Sequence, residues 1–335
     1  MKHIPLSVLE LAIIREGGNA QQAIEETVRV ARHTEQEGYS RLWLAEHHNM
    51  PYISSSATAV LIGHVAGKTK RIRVGSGGIM LPNHSPLVIA EQFGTLETLY
   101  PGRIDLGLGR APGTDQTTAM ALRRHNTTTA HSFPSDVKSL QAYFCNEDND
   151  AKVRAFPGEG LSVPLWILGS STDSAYLAAE MGLPYAFAAH FAPAQLFAAI
   201  NIYRQHFKPS KQLTKPYLMV AVNVIAADSD DEANHLATSL INMFLGVVTG
   251  KPQPLRPPGK LSDLYQYQDV QHAVNNMLAG TFMGGPEKLR HELAGFISDT
   301  QTDELMVTGY IYDPEARLKS FSILKRALDS GDKSN

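Results

Sequence analysis

The feature that most constrains the fold of this chain is the regular alternation of short apolar runs with longer amphipathic runs. The apolar runs predict eight β-strands, at residues 4–9, 41–46, 72–80, 103–108, 163–168, 185–189, 217–226 and 304–310. A segment with helical periodicity follows each of them. Strands joined through helices are parallel, with right-handed crossovers. The pattern predicts a (β/α)8 TIM barrel, one domain over residues 1–335, with a doubly wound sheet as the alternative.

Two segments interrupt the repeat and are predicted to be insertions after strands four and seven. Residues 111–131 form a polar run, which we expect to be a long mobile loop. Residues 251–259 contain four prolines, and proline both fixes φ and removes a backbone donor, so this stretch cannot be regular structure. It opens an insertion that continues to residue 285. Long loops in compact domains are often functional, so we assign substrate recognition to these two segments.

Composition limits the classes of partner. The chain has 30 Lys and Arg against 33 Asp and Glu, so no basic excess indicates nucleic acid or an anionic membrane surface. Its single cysteine, Cys145, excludes an internal disulfide and fits a reducing compartment. No apolar stretch has the length of a signal peptide core or a membrane span. We therefore expect a cytoplasmic protein that acts on a small-molecule substrate.

The second predicted strand ends in Glu46-His47-His48. Catalytic side chains of α/β barrels lie at such strand ends, and histidine can transfer protons near neutral pH. In a second interpretation the three side chains only pair with each other or cap the next helix. A shared metal ion is a third interpretation. It is disfavoured because adjacent residues of an extended chain point to opposite sides, and no Cys cluster or HExxH motif supplies further ligands.

Small residues follow the fourth strand, around Arg110. The segment from Gly107 to Gly113 is not a dinucleotide fingerprint, because Pro112 stands where the third glycine is required. Arg110 lies just past the strand end, where its guanidinium can reach an anion with little steric obstruction. The alternative is an ordinary surface arginine in a turn.

Two further segments have the composition of ligand contacts. Gly169, Ser170 and Ser171, with Ser174 shortly after, lie between the fifth strand and its helix, where hydroxyls and unpaired backbone N–H groups can hold a phosphate. Serine and threonine are also common helix N-caps, so a cap alone is the alternative. In the third strand, residues 75–78 are Gly-Ser-Gly-Gly, which suits close approach by a flat ligand or, alternatively, a plain β-bulge.

Taken together, four runs resemble the bacterial luciferase-like flavin-dependent monooxygenases, in order and over nearly the whole chain. The runs are residues 44–48 (LAEHH), 75–82 (GSGGIMLP), 102–110 (GRIDLGLGR) and 168–184, from LGSS to AAEMGLP. The similarity is greatest to uncharacterised single-chain members. It implies a (β/α)8 barrel that binds reduced FMN, supplied by a separate flavin reductase, at its C-terminal mouth. It also implies a homodimer that oxygenates a small organic substrate with O2 through a C4a-hydroperoxyflavin.

The resemblance assigns roles by position. His47 matches the catalytic histidine, and Gly77 and Gly78 match a pair that lies against the flavin ring across a cis peptide. The residues that match the phosphate contacts are Arg110, Ser171 and Ser174. Where the light-emitting subunits have a reactive cysteine, this chain has Gly109, so light emission and long-chain aldehyde substrates are not expected.

Two alternatives stay open on the same barrel. One is hydride transfer with the deazaflavin F420 in place of FMN. The other is a non-catalytic flavin-binding protein of the same ancestry.

Overall fold

The centre of the structure is a closed barrel of eight parallel strands. The computed structural model describes residues 4–111, 113–123, 129–145 and 150–329. Its strands are β1 (Leu6–Glu10), β2 (Arg41–Leu44), β3 (Arg73–Met80), β4 (Ile104–Gly109), β5 (Leu165–Gly169), β6 (Tyr185–Ala188), β7 (Leu218–Ala226), β8 (Thr281–Gly284) and β9 (Glu304–Thr308). Strands β1 to β7 pair in sequence order, and β9 closes the circle between β7 and β1. The predicted TIM barrel is confirmed, and a doubly wound sheet is excluded.

Helices follow the barrel strands and pack around them. They are α1 (Ala20–Gln36), α2 (Thr58–Ala66), α3 (Pro86–Leu99), α4 (Gln116–Arg123), α5 (Thr129–Phe144), α6 (Thr172–Met181), α7 (Leu196–His206), α8 (Asp230–Val248), α9 (Gln268–Leu278), α10 (Pro286–Thr300) and α11 (Pro314–Asp329). None of these helices has the length and apolar content needed to cross a membrane.

Side chains on both faces of the strands are buried, as the mixed apolar pattern of residues 41–46 predicts. In β2, Leu42 and Leu44 belong to the large core between barrel and helices, whereas Trp43 belongs to a smaller cluster inside the barrel. Trp43 meets Trp166 there edge to face, with ring centroids 5.0 Å apart. The barrel interior is therefore filled by side chains, as in other barrels of eight strands.

Buried ion pairs occupy the N-terminal end of the barrel. Arg41 Nη1 lies 2.7 Å from Asp105 Oδ2, and its Nε lies 2.8 Å from Glu304 Oε1. The Tyr217 hydroxyl donates to Glu304 Oε2 at 2.9 Å. Because a buried charge without a partner is costly, this paired network stabilises the closed end, and any open site lies at the opposite, C-terminal mouth.

The first insertion is more regular than its polar sequence predicts. Residues 112 and 124–128 of the predicted loop lie outside the described part of the chain, but α4 forms within it and α5 begins at Thr129, not at Ser135 as predicted. Pro134 lies inside α5. A proline usually marks a helix boundary, but Phe133 is only 1% exposed, and its burial extends the helix past the proline.

The second insertion is irregular only in its first part. Residues 251–259 contain no helix or strand beyond an isolated bridge at Leu255, as the prolines predict. The remainder forms α9 and the short strand β8, which pairs with the C-terminal half of β7. Neither element was predicted; β8 has only four residues, which is too short for its periodicity to be recognised.

Candidate active site

The C-terminal mouth of the barrel collects the polar residues that follow β2 to β6. His47 follows β2, Arg110 follows β4, and His190 follows β6. The Gly77–Gly78 peptide lies within β3, between β2 and β4 in the sheet. Parallel strands bring their carboxyl ends to one rim, so residues far apart in sequence share this mouth.

His47 is held by the loop that follows β4. Its Nδ1 lies 3.3 Å from the backbone carbonyl oxygen of Gly113. A carbonyl only accepts hydrogen bonds, so Nδ1 carries the proton and Nε2 keeps its lone pair. Burial lowers the pKa of His47 below its ordinary value, although the bond to Gly113 and the charge of Glu46 act in the opposite direction. His47 is therefore a neutral imidazole, and none of the described residues bonds to its acceptor nitrogen Nε2, which suits general base catalysis.

Glu46 is the centre of a hydrogen-bonded cluster behind His47. The Nε2 atoms of His48 and His84 each lie 2.8 Å from Glu46 Oε1, and the Met80 N–H donates to Oε2 at 3.1 Å. Burial raises the pKa of Glu46, but the bonds from His84, His48 and Met80 outweigh it and hold the pKa below its ordinary value. Glu46 and His48 thus pair with each other, as the structural interpretation of the Glu46-His47-His48 motif predicts. The His47 side chain instead bonds to Gly113.

His84 was not predicted from the sequence as part of this site. It lies in a short 3-10 turn region directly after β3, between two prolines. A histidine at the C-terminal end of a predicted barrel strand is the signal that would have found it.

Three ligand-type atoms converge in the Glu46 cluster. The carboxylate of Glu46 and the imidazoles of His48 and His84 offer donors that all lie within 4.8 Å of one another. Both histidine-to-carboxylate distances are 2.8 Å to the same oxygen, which is hydrogen-bond geometry. Hydrogen bonding accounts for the cluster, and His47 takes no part in it.

The peptide between Gly77 and Gly78 is cis, as predicted. The pairing of β3 with β4 shifts register between Ser76 and Ile79, so the bulge interpretation is also correct. A Cβ at position 77 would lie 2.7 Å from Leu9 Cδ1, and a Cβ at position 78 would lie 2.7 Å from the Gly107 carbonyl oxygen. Neither position has room for a side chain, because neighbouring atoms of the protein already occupy the space that a Cβ would need.

Arg110 and the start of α6 meet at the same rim. Arg110 Nη2 lies 3.2 Å from Asp173 Oδ2, in the first turn of α6. Ser171 is the N-cap residue, and its side chain makes no capping hydrogen bond. The Ser174 hydroxyl donates to the Ser171 carbonyl at 2.7 Å and lies 2.9 Å from the Tyr185 hydroxyl, so it is already bonded within the turn. The Asp173 carboxylate was not predicted from the sequence to lie at this place.

Glycines shape the floor of this rim. A Cβ at Gly169 would stand 2.0 Å from Ser174 Oγ, so the turn closes only over a glycine. A Cβ at Gly109 would stand 2.8 Å from Met80 Sδ. The Met80 thioether therefore fills the space that a side chain at position 109 would need.

His190 is a second histidine at the mouth that the sequence analysis left without a role. The residue is 8% exposed, and among the described residues its Nδ1 has no hydrogen-bond partner. Burial, together with a smaller effect of the neighbouring His47, lowers the pKa of His190 to about 4. The Asn223 amide donates to the His190 carbonyl at 2.6 Å. His190 is thus a neutral group close enough to His47 to interact with it.

Comparison with known proteins places this site in a family. A family model described as luciferase-like monooxygenase matches residues 5–304. The chain belongs to the luciferase-like monooxygenases. It is 52% identical to a protein of that name from Escherichia coli K12, over 96% of each chain. It is 36% identical to the N-acetyl-S-alkylcysteine monooxygenase of Bacillus subtilis, over 97% of this chain and 98% of that one.

Solved structures agree with the barrel. The apo form of MsnO8 matches with a TM-score of 0.87 and 32% identity, covering 98% of this luciferase-like monooxygenase and 99% of that chain. More distant structures show the fold alone. They include the oxygenating constituent of 3,6-diketocamphane monooxygenase from Pseudomonas putida in complex with FMN, at a TM-score of 0.69 and 17% identity. Another is an F420-dependent secondary alcohol dehydrogenase, at 0.70 and 15%.

Proposed function

We propose that this luciferase-like monooxygenase uses reduced FMN and O2 to oxygenate a small organic substrate at the C-terminal mouth of its barrel. The observation that carries the proposal is the neutral, partly buried His47 at the end of β2, which pairs with the strand that contains the cis peptide of Gly77 and Gly78. An acceptor nitrogen at the end of one strand and a glycine pair in the neighbouring strand suit proton transfer at the edge of a planar cofactor.

The residues present fit FMN at both of its ends. The Gly77–Gly78 peptide carries no Cβ, so an aromatic ring system can approach the backbone. At the other end, Arg110 and the N-terminus of α6 offer a cation and backbone N–H groups to a phosphate dianion. Gly169 lets the turn of residues 170–174 fold tightly enough to present those groups.

Reduced FMN would supply the electrons and the site at which O2 reacts. The chain contributes the surroundings. His47 Nε2 accepts a proton or, once protonated, returns it. The Glu46 cluster joins the ends of β2 and β3 through Met80 N–H and His84, which holds the histidine-bearing strand end next to the glycine pair. The side chains of Trp43 and Trp166 fill the barrel interior beneath the mouth, so the ligand stays at the rim.

The proposal includes the source of the cofactor and the assembly. No nicotinamide fingerprint occurs in the sequence, since Pro112 and Met80 stand where the Gly-x-Gly pairs of β4 and β3 would need a third glycine. A separate flavin reductase therefore delivers reduced FMN. The active form is a homodimer in the cytoplasm. An N-acetyl-S-alkylcysteine is the first substrate to test, because the similar Bacillus subtilis protein is named as a monooxygenase of that compound class.

The test is oxygenation by the full chain with reduced FMN. The protein is supplied with FMN and a reductase, and with 18O2, and the organic product is examined for one labelled oxygen. Label in the product supports the proposal. Oxygen consumption that yields only hydrogen peroxide, across a panel of thioethers, ketones and amines, would contradict it. Parallel binding titrations with FMN and F420 identify the cofactor. Tighter binding of F420 would contradict the proposal and favour hydride transfer as the reaction at this site.

A further inference from the structure

The loop after β4 folds back onto the strand end that carries His47. The Thr114 hydroxyl donates to the His48 carbonyl at 2.9 Å, and the His48 N–H donates to the Gly113 carbonyl at 3.4 Å. The Asn49 amide donates to the Thr118 hydroxyl at 2.9 Å. We call these contacts between residues 48–49 and residues 113–118 the clasp.

Gly113 fits the clasp only because it has no side chain. Its φ of +66° lies in the left-handed region, which glycine adopts at little cost. A Cβ at this position would stand 2.8 Å from the Glu46 carbonyl oxygen and 3.0 Å from Met80 Cγ. The loop backbone is therefore packed directly on the strand end, with the Gly113 carbonyl directed at His47 Nδ1.

On the loop side, the clasp ends at the first turn of α4, where Asp115 fixes Thr118. Asp115 Oδ1 accepts from the Thr118 N–H at 3.0 Å, and its Oδ2 accepts from the Thr118 hydroxyl at 2.6 Å. These two bonds, with a smaller contribution from Asn49, lower the pKa of Asp115 to about 2. Asp115 thus stays a carboxylate at any physiological pH and caps α4, so Thr118 is fixed when Asn49 binds it.

We propose that Asn49 and Thr114 are positioning residues for His47: through the clasp they hold the Gly113 carbonyl against Nδ1 and so keep the Nε2 lone pair directed into the barrel mouth. The inference rests on the proposed function, in which His47 transfers the proton. Neither residue touches the reacting atoms. Both bind loop to strand end, and the carbonyl between them selects one of the two neutral imidazole tautomers.

Loss of the clasp has a defined effect on His47. The loop supplies the Gly113 carbonyl that fixes the tautomer. It also covers the imidazole ring, and burial of the ring is what lowers its pKa. Without the loop, the imidazole is free to exchange between its two tautomers and is better solvated. Burial is the larger of the opposing influences, so undocking moves the pKa of His47 upward, towards the ordinary value of about 6.5.

The test variant is Asn49→Gly combined with Thr114→Val. Asn49 has a φ of +54°, so glycine removes its amide without backbone strain, and valine removes the Thr114 hydroxyl at nearly constant shape. The full chain, labelled with 15N at histidine, is titrated by NMR, and the resonance absent in His47→Gln identifies His47 among the 13 histidines. We expect the single dominant tautomer and lowered pKa of His47 in the parent to give way, in the double variant, to a tautomer mixture with an upward-shifted pKa, and the acid limb of the activity profile to move up with it.

Two further variants make the result specific. Thr117→Val removes from the same turn an exposed hydroxyl that makes none of the three clasp contacts described above, and we expect it to leave His47 unchanged. Thr114→Ser keeps the hydroxyl, and we expect it to show the His47 signals of the parent. Because this single variant and Thr114→Val differ little in shape, comparing the two tests the hydroxyl even if the double variant folds poorly. Parent-like tautomer and pKa in Thr114→Val would overturn the positioning role. A shifted His47 in a protein that oxygenates nothing would support the clasp and count against the proposed function.

Discussion

The Nδ1 atom of His47 and the backbone carbonyl oxygen of Gly113 lie 3.3 Å apart, although 66 residues separate them in the chain. This contact joins the end of β2 to the loop after β4. It leaves Nε2 as the only ring nitrogen able to act on a ligand at the mouth. The chemistry of the candidate site therefore depends on a backbone atom of a neighbouring loop as well as on the histidine itself.

Replacing His47 by alanine is expected to abolish most oxygenation without loss of the cofactor. General acid–base help is worth about 100- to 10,000-fold in rate, so product formation should fall by that order, with FMN affinity nearly unchanged. The measurement is product against peroxide released from reduced FMN. His235→Ala, on the exposed face of α8, is the matched control. Wild-type rate and coupling in His47→Ala would make the Glu46-His47-His48 motif purely structural.

His190 is expected to make the fold less stable in acid. Its pKa is about 4 in the folded protein, below the ordinary 6.5, because of burial and the nearby His47. A depressed pKa gives a contribution to the free energy of unfolding that is complete above pH 6.5 and lost as pH falls towards 4. Each pKa unit corresponds to about 1.4 kcal/mol, so the loss over this window is about 3 kcal/mol.

Urea unfolding at pH 7 and pH 4.5 measures that loss in the parent and in His190→Gln. Glutamine has no proton to gain, so we expect the variant to show a smaller drop in stability between the two pH values. The same drop in both proteins would mean that groups other than His190 account for the acid sensitivity.

Arg110→Ala is expected to weaken FMN binding. A hydrogen bond to a charged group is worth about 1.5 to 3 kcal/mol, equivalent to about a 10- to 150-fold rise in Kd, and riboflavin, which lacks the phosphate, should be unaffected. Quenching of flavin fluorescence measures both constants. Arg290→Ala removes an exposed arginine from α10 and controls for net charge. Equal losses for FMN and riboflavin would place Arg110 away from the phosphate.

Asp173→Asn is expected to strengthen FMN binding. The carboxylate lies 3.2 Å from Arg110 in the first turn of α6, so it competes with a phosphate for the same cation and repels it. Both side chains are exposed, and such pairs are worth about 0.2 to 1 kcal/mol, which predicts an increase in affinity of about 1.5- to 5-fold that shrinks at high salt. Asp231→Asn makes the same change in the first turn of α8. Weaker binding in Asp173→Asn would show that the carboxylate helps to build the site.

Local pattern was enough to predict the barrel. Parallel strands buried on both faces have apolar residues at both parities, and each is followed by a helix, so eight repeats leave few alternative folds. The same logic put His47, Arg110 and the turn of residues 169–174 at one rim. The Gly77–Gly78 cis bond came from family resemblance, and the absence of any space for a Cβ at either residue agrees with it.

Contacts across the mouth were decided only by the tertiary structure. The convergence of His84 with Glu46, the pairing of Asp173 with Arg110, and the clasp around Gly113 all join residues from different strand ends. Periodicity reports which face of its own strand or helix a residue occupies, but carries no information on which loop atom meets it from a neighbouring element. The sequence determined the barrel and the rim on which its polar groups lie, and three-dimensional packing decided which of those groups touch, because hydrogen-bond partners depend on distances of a few tenths of an ångström that no local pattern encodes.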